Sequence, residues 1–133
     1  MANSLFAKFK EHLGSGDIDL LTDNLKIVLV DHDDDTPAPD TDEYLADIAA
    51  GARVATSGNL ANKSFTNGVL VADSITISSV TGDEFESLVI YQDTGNAATS
   101  ILIAYIDSAG GLPYTPSGAD IEITWDAGGI FIL

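Results

Sequence analysis

Leu88-Val-Ile-Tyr91 and Ile101-Leu-Ile-Ala-Tyr-Ile106 decide how this chain folds. Both are nearly unbroken apolar runs rich in β-branched and aromatic residues, and Asp93-Thr-Gly95 with Asn96 marks a turn between them. Runs of this length suit strands buried on both faces, so they are expected to lie at the centre of a sheet. Outward from this pair, the segments 68–80, 120–125 and 129–133 have the same strand character, separated by Gly, Asp, Asn, Ser or Pro. In 68–80, Ile75 and Ile77 alternate with Thr76 and Ser78; in 120–125, Ile121, Ile123 and Trp125 alternate with Glu122 and Thr124. That alternation predicts half-buried strands with one wet face.

Upstream, Leu25-Lys-Ile-Val-Leu-Val30 reads as a strand, 53–56 as a short one and 58–67 as a turn-rich connection. Residues 4–13 read as a helix, with Ser4 as its cap and Leu5, Phe6, Phe9 and Leu13 on one face. Gly14-Ser-Gly16 ends it. A second short helix is expected over 41–48, capped by Thr41, with Tyr44, Leu45 and Ile48 on its apolar side. The expected fold is therefore mainly β: an antiparallel sandwich or barrel-like domain with an N-terminal helix and one short additional helix. Within one domain of residues 1–133, residues 1–16 form a helical arm and 17–133 the body.

Asp and Glu number 21 against five basic residues, for a net charge of −16. Such a field repels nucleic-acid phosphates and anionic lipids, so neither nucleic acid nor membrane is expected as a partner. No apolar run approaches the roughly 20 residues of a membrane span, and the opening residues lack a secretory core. A soluble protein is expected. The chain has no cysteine, which removes disulfides, thiolate metal sites and cysteine nucleophiles.

Candidate chemistry is sparse. Asp31, Asp33 and Asp35 form D-x-D-x-D, and Asp42 holds the twelfth position of the same window. Alternate carboxylates can serve calcium. However, the calcium loop needs Gly at its sixth position and Glu at its twelfth, where this chain has Thr36 and Asp42, and Pro37 and Pro39 interrupt it. A solvated acidic loop is the preferred reading, so no metal is assigned. His32 lies among these aspartates without a nucleophile motif, and no phosphate-cradling glycine motif is present. Asp83, Glu84 and Glu86 read as a solvated edge rather than a glycosidase pair. Tyr91, Tyr105 and Trp125 read as core. No catalytic residue and no cofactor are assigned. Tyr114, between Pro113 and Pro116 in a loop, reads as an exposed contact residue. With Leu5, Phe6 and Phe9 of the opening helix it makes up the set of candidate partner-binding residues.

Taken in order, the opening helix and six further segments resemble one family of small virion structural proteins of tailed bacteriophages. The first segments are Leu20-Leu-Thr-Asp-Asn-Leu-Lys-Ile-Val-Leu29, Asp42-Glu-Tyr-Leu-Ala-Asp-Ile48 and Leu60-Ala-Asn-Lys-Ser-Phe65. Leu88-Val-Ile-Tyr-Gln-Asp-Thr-Gly95 with Leu102-Ile-Ala-Tyr-Ile-Asp107, and Asp120-Ile-Glu-Ile-Thr-Trp-Asp-Ala-Gly-Gly-Ile-Phe131, complete the series. The resemblance implies a non-enzymatic virion component, with no catalytic residues to carry over. It points to a capsid decoration (cement) protein on the outer capsid surface, with the major capsid protein as partner and self-association on the particle as an option. A tail or head-to-tail adaptor or fibre component, or a carbohydrate-binding module on a fibre, is the alternative.

Overall fold

In the computed structural model, which describes residues 4–133, the two apolar runs pair with each other and with the first clear strand. The chain order is β1 (Ser4–Leu5), α1 (Ala7–Gly14), β2 (Leu25–Val30), β3 (Arg53–Thr56), β4 (Ser64–Thr66), β5 (Val69–Val71), β6 (Ile75–Ile77), β7 (Ser87–Gln92), β8 (Leu102–Ile106), β9 (Ile121–Ile123) and β10 (Phe131–Ile132). Single 3-10 turns at Leu45–Asp47 and Ala50–Ala52 lie between β2 and β3. The strands form a five-stranded sheet ordered β1-β8-β7-β2-β3, a three-stranded sheet ordered β10-β5-β4 and a two-stranded sheet ordered β6-β9. Every strand pair is antiparallel. The mainly β, sandwich-like architecture is as expected. No helix among the described residues is long and apolar enough to cross a membrane.

Every residue of β7 and β8 is buried. β7 sits mid-sheet, in register with β2 from Leu25↔Gln92 to Val30↔Ser87, and with β8 from Leu88↔Ile106 to Tyr91↔Leu102. Val28, Val89 and Tyr105 point to one face, and Ile27, Ile90 and Ala104 to the other. All six are in one core cluster. A sheet apolar on both faces must be covered twice, and the smaller sheets, α1 and the loops do this.

Three local expectations are corrected. Ser4 does not cap a helix. Ser4–Leu5 pairs with Tyr105 and Ala104 at the β8 edge, and Phe6 N–H donates to Ile103 O at 2.9 Å. Strand pairing satisfies that backbone, so α1 starts only at Ala7, after an N-cap Phe6 that makes no side-chain cap bond. Phe9 meets Phe131 edge to face at 5.9 Å, which carries the helix onto β10. Residues 4–16 are thus packed on the body rather than set apart as an arm, with β1 paired to β8 and Phe9 of α1 buried; residues 1–3 lie outside the described residues.

Residues 41–48 do not form an α-helix. Leu45 N–H donates to Ser100 O and Ala46 N–H to Ala97 O, and Tyr44 bridges Ile101. Those donors are given to the loop before β8, leaving only a 3-10 turn, whose cap is Tyr44 and not Thr41. In the third correction, the connection over 58–67 ends in β4, which forms a hairpin with β5. Its turn is Asn67-Gly68, both at positive φ (53° and 80°), the geometry of a type I′ turn. Gly129 also has positive φ (101°), and a Cβ there would lie 2.5 Å from Val69 Cγ1, so the turn before β10 requires glycine.

α1 is also held by His12, whose ring nitrogens meet Asp17 Oδ2 at 2.9 Å and Glu43 Oε1 at 2.8 Å. Two carboxylates facing two ring nitrogens favour the imidazolium, in which both nitrogens donate. The hydrogen bond to Asp17 holds its pKa above the ordinary value, partial burial opposes this, and Glu43 adds to the rise.

Two outcomes follow from this packing. Ile103 is fully buried in β8, so Ile103→Ala should cost roughly 2–5 kcal/mol in chemical denaturation. For His12, the folded pKa lies above the unfolded one. Its contribution is therefore complete below pH of about 6.5 and is lost as pH rises through the folded pKa. Thermal melts from pH 6 to 9 should show a loss of stability that is smaller in His12→Gln; parallel profiles would contradict the clamp.

Candidate functional site

The acidic stretch builds a loop out of carboxylate–amide bonds. Asp31 Oδ1 accepts from Asp33 N–H at 2.9 Å, Asp35 Oδ2 from Ala49 N–H at 2.8 Å and Asp42 Oδ2 from Ala38 N–H at 2.8 Å. Asp47 Oδ2 accepts from both Glu43 and Tyr44 N–H. Carboxylates are good acceptors for loop amides that no strand partner satisfies. The charge run is thus largely a device for folding a proline-interrupted connection.

D-x-D-x-D does not converge. Of its members only Asp31 joins the group whose carboxylate oxygens lie within 4.8 Å of one another; the others are Asp34 and Asp83. Asp31 is 5 % exposed, while Asp34 and Asp83 are exposed. One converging oxygen from each of three carboxylates falls short of the roughly six to eight that calcium takes. Asp83, Glu84 and Glu86 also part company. Asp83 joins that group, Glu84 Oε2 accepts from Thr115 Oγ1 at 3.2 Å, and Glu86 accepts from the His32 backbone. Glu86 is half-buried rather than solvated, and its Oε2 has no hydrogen-bond partner among the described residues. Burial raises its pKa; the His32 amide opposes the rise, and Asp31 and Asp33 contribute to it.

His32 has partners that the sequence does not reveal. Its Nε2 lies 2.8 Å from Ser87 Oγ and 3.4 Å from Tyr105 Oη, with the His32 and Tyr105 rings stacked 6.1 Å apart. A histidine at this distance from a serine is the contact that activates a nucleophile. Here Ser87 is fully buried within β7, out of a substrate's reach. Burial first, then Asp107, pushes the Tyr105 hydroxyl up to about 12. The group is a polar tie between the 31–35 loop and the central strands.

The candidate contact residues separate. Phe6 and Phe9 are fully buried in the domain's own core, and Leu5 packs against it half-buried. This corrects their reading as a surface offered to a partner: strand pairing by Ser4–Leu5 turns the phenylalanines inward. Tyr114 is half-buried. Its backbone exchanges two 3.0 Å hydrogen bonds with Phe85, and the two rings lie 5.6 Å apart.

Tyr114 stands at one end of a cleft of about 270 Å³ between the 109–112 loop and β9, floored by Phe85, Leu88 and Ile123. This cleft shares Leu88, Ala109, Gly110, Ile123 and Thr124 with a second of about 390 Å³ that reaches Ile106, Trp125 and Asp126. Trp125 is not fully in the core: it is half-buried, and its Nε1 donates to Asp73 O at 3.1 Å. Elsewhere, Val71, Ile132 and Leu133 are 41–52 % exposed, an apolar patch that strand alternation alone did not mark.

The acidic group can be tested directly. A chelator should leave the melting temperature unchanged, and Asp34→Asn should not alter that response. A chelator-induced drop that is abolished by Asp34→Asn would establish a bound cation.

No protein-family model matches this chain, and no curated protein matches it.

Proposed function

We propose that this chain is a non-enzymatic virion structural protein of a tailed bacteriophage, acting as a capsid decoration protein on the outer surface of the shell. The observation that carries the reading is the outward face of the β10-β5-β4 sheet. Register places Ser64, Thr66, Val69, Val71 and Ile132 on that face, all uncharged, in a chain of net charge −16. Large apolar side chains half-exposed together, within a strongly anionic surface, suit a contact with another protein. The resemblance described above supplies the kind of partner, the major capsid protein.

The mechanism is binding energy alone. Copies bury apolar surface where capsid subunits meet, and each stabilises the shell because it binds the assembled lattice better than free subunits. The negative charge suits the outside of the particle, away from packaged DNA. A tail, adaptor or fibre component is distinguished by number. Lattice decoration requires hundreds of copies per particle, whereas tail symmetry allows roughly six to some tens.

Quantitative gels of purified particles should give the higher number. Ile132→Asp places a charge at a site already open to water, so the fold should persist. Co-sedimentation with bare capsids should weaken by about 2 kcal/mol or more if Ile132 lies at the centre of the contact. Tens of copies, or undiminished binding by Ile132→Asp, would contradict the reading.

A further inference from the structure

We propose that the cleft beside β9 is a strand-addition site for an extended partner segment in which apolar residues alternate with Lys or Arg. The inference rests on the reading of the chain as a binding protein, and it is separate from the apolar patch used above.

β9 pairs only with β6, through Ile75↔Ile123, Thr76↔Glu122 and Ile77↔Ile121. Among the described residues no strand pairs with its other edge, and residues 121–124, from both faces of β9, line the cleft. A strand edge keeps a row of backbone donors and acceptors that one more strand can satisfy. The space is present: two connected volumes of about 270 and 390 Å³ run along residues 121–126. The walls are set by contacts within the domain. The Phe85–Tyr114 backbone bridge fixes one end, and the Trp125 bond to Asp73 O fixes the indole at the other.

Alternation along β9 dictates what the incoming strand carries. Ile121 and Ile123 lie on the inward face, where Leu88, Ile106 and Phe85 make the floor. Glu122 and Thr124 lie on the exposed face. Residues of an added strand that neighbour the isoleucines must be apolar, and those neighbouring Glu122 gain from a cation. The charged residues lining the two volumes, Glu122 and Asp126, are both acidic, and the net charge of −16 adds a long-range attraction for a basic segment. A sugar ligand would use the Trp125 and Tyr114 rings but not the free edge, so the unpaired strand favours a peptide.

The test uses the intact chain and a synthetic heptapeptide, Lys-Val-Arg-Val-Lys-Val-Arg, followed by amide chemical shifts and by the fluorescence of Trp125, the single tryptophan. The expected result is shifts confined to 108–114 and 121–126, with saturable binding. A block-sequence peptide of the same composition should bind at least about tenfold more weakly, and Glu122→Lys should weaken the alternating peptide roughly fivefold. N-methylation of the amides on one edge of the peptide should abolish binding, while methylation of the other edge should be tolerated, as main-chain pairing demands. No binding, equal binding of an acidic peptide (Glu-Val-Glu-Val-Glu-Val-Glu), indifference to N-methylation, or shifts centred on Val71 and Ile132 would overturn the proposal. Capsid co-sedimentation with unchanged wild-type binding alongside such a failure would leave the proposed function standing and remove only this site.

Discussion

The insertion of β7 between β2 and β8 is the constraint on which the rest depends. All six β7 residues are buried, and so are all five of β8, so neither face of the sheet meets water at these two strands. Both faces need a cover, and no neighbouring sequence supplies one by itself. The chain sends distant pieces instead: β10 pairs with β5 and β9 with β6, while β1 extends the sheet itself at the β8 edge. Each cover is short, two or three residues for β4, β5, β6, β9 and β10. Strands this short gain their stability from the side chains they bury on the central sheet more than from their own ladders.

The extreme charge fits into this frame without being neutralised. Lys26 pairs with Asp93 at 2.9 Å beside the central strands, Arg53 donates to Ile48 O, and Lys63 donates to Asp23 O. The carboxylates mostly face amides and water. Aspartates at loop positions replace the hydrogen bonds that a strand or helix would otherwise provide, which lets long connections such as 31–52 remain irregular yet ordered. Sites with little charge then stand out: the outward face of the β10-β5-β4 sheet and the floor of the β9 cleft.

Much of the fold was legible from apolar patterning. The runs at 25–30, 88–91 and 101–106 mark their strands because a doubly buried strand has no polar alternative. Ser4–Leu5 was not legible. Leu5, Phe6 and Phe9 fit a helical face, and only tertiary pairing with β8 makes the first of them a strand residue. Residues 41–48 have good helical spacing too, but the loop before β8 takes their amides. Strand β4 did carry a signal, the Asn67-Gly68 turn between Phe65 and Leu70. Of the site features, the His32–Ser87 contact joins residues 55 apart, and the Asp31, Asp34 and Asp83 group crosses two loops. Neither leaves a local pattern. Tyr114 reads as exposed because prolines flank it, but its backbone bridge to the distant Phe85 leaves it half-buried, and neither that bridge nor the open edge of β9 can be read locally.

Native-state hydrogen exchange, resolved by residue, tests the central claim most directly. If the doubly buried sheet organises the molecule, amides of Val89, Ile90, Tyr91, Ile103 and Ala104 should exchange only through global unfolding, at the free energy found by denaturation. The amides of β6 and β9 should exchange sooner, through local opening of a two-stranded cover. Exchange of the β7 and β8 amides at or above the rate of those in β6 and β9 would contradict the account.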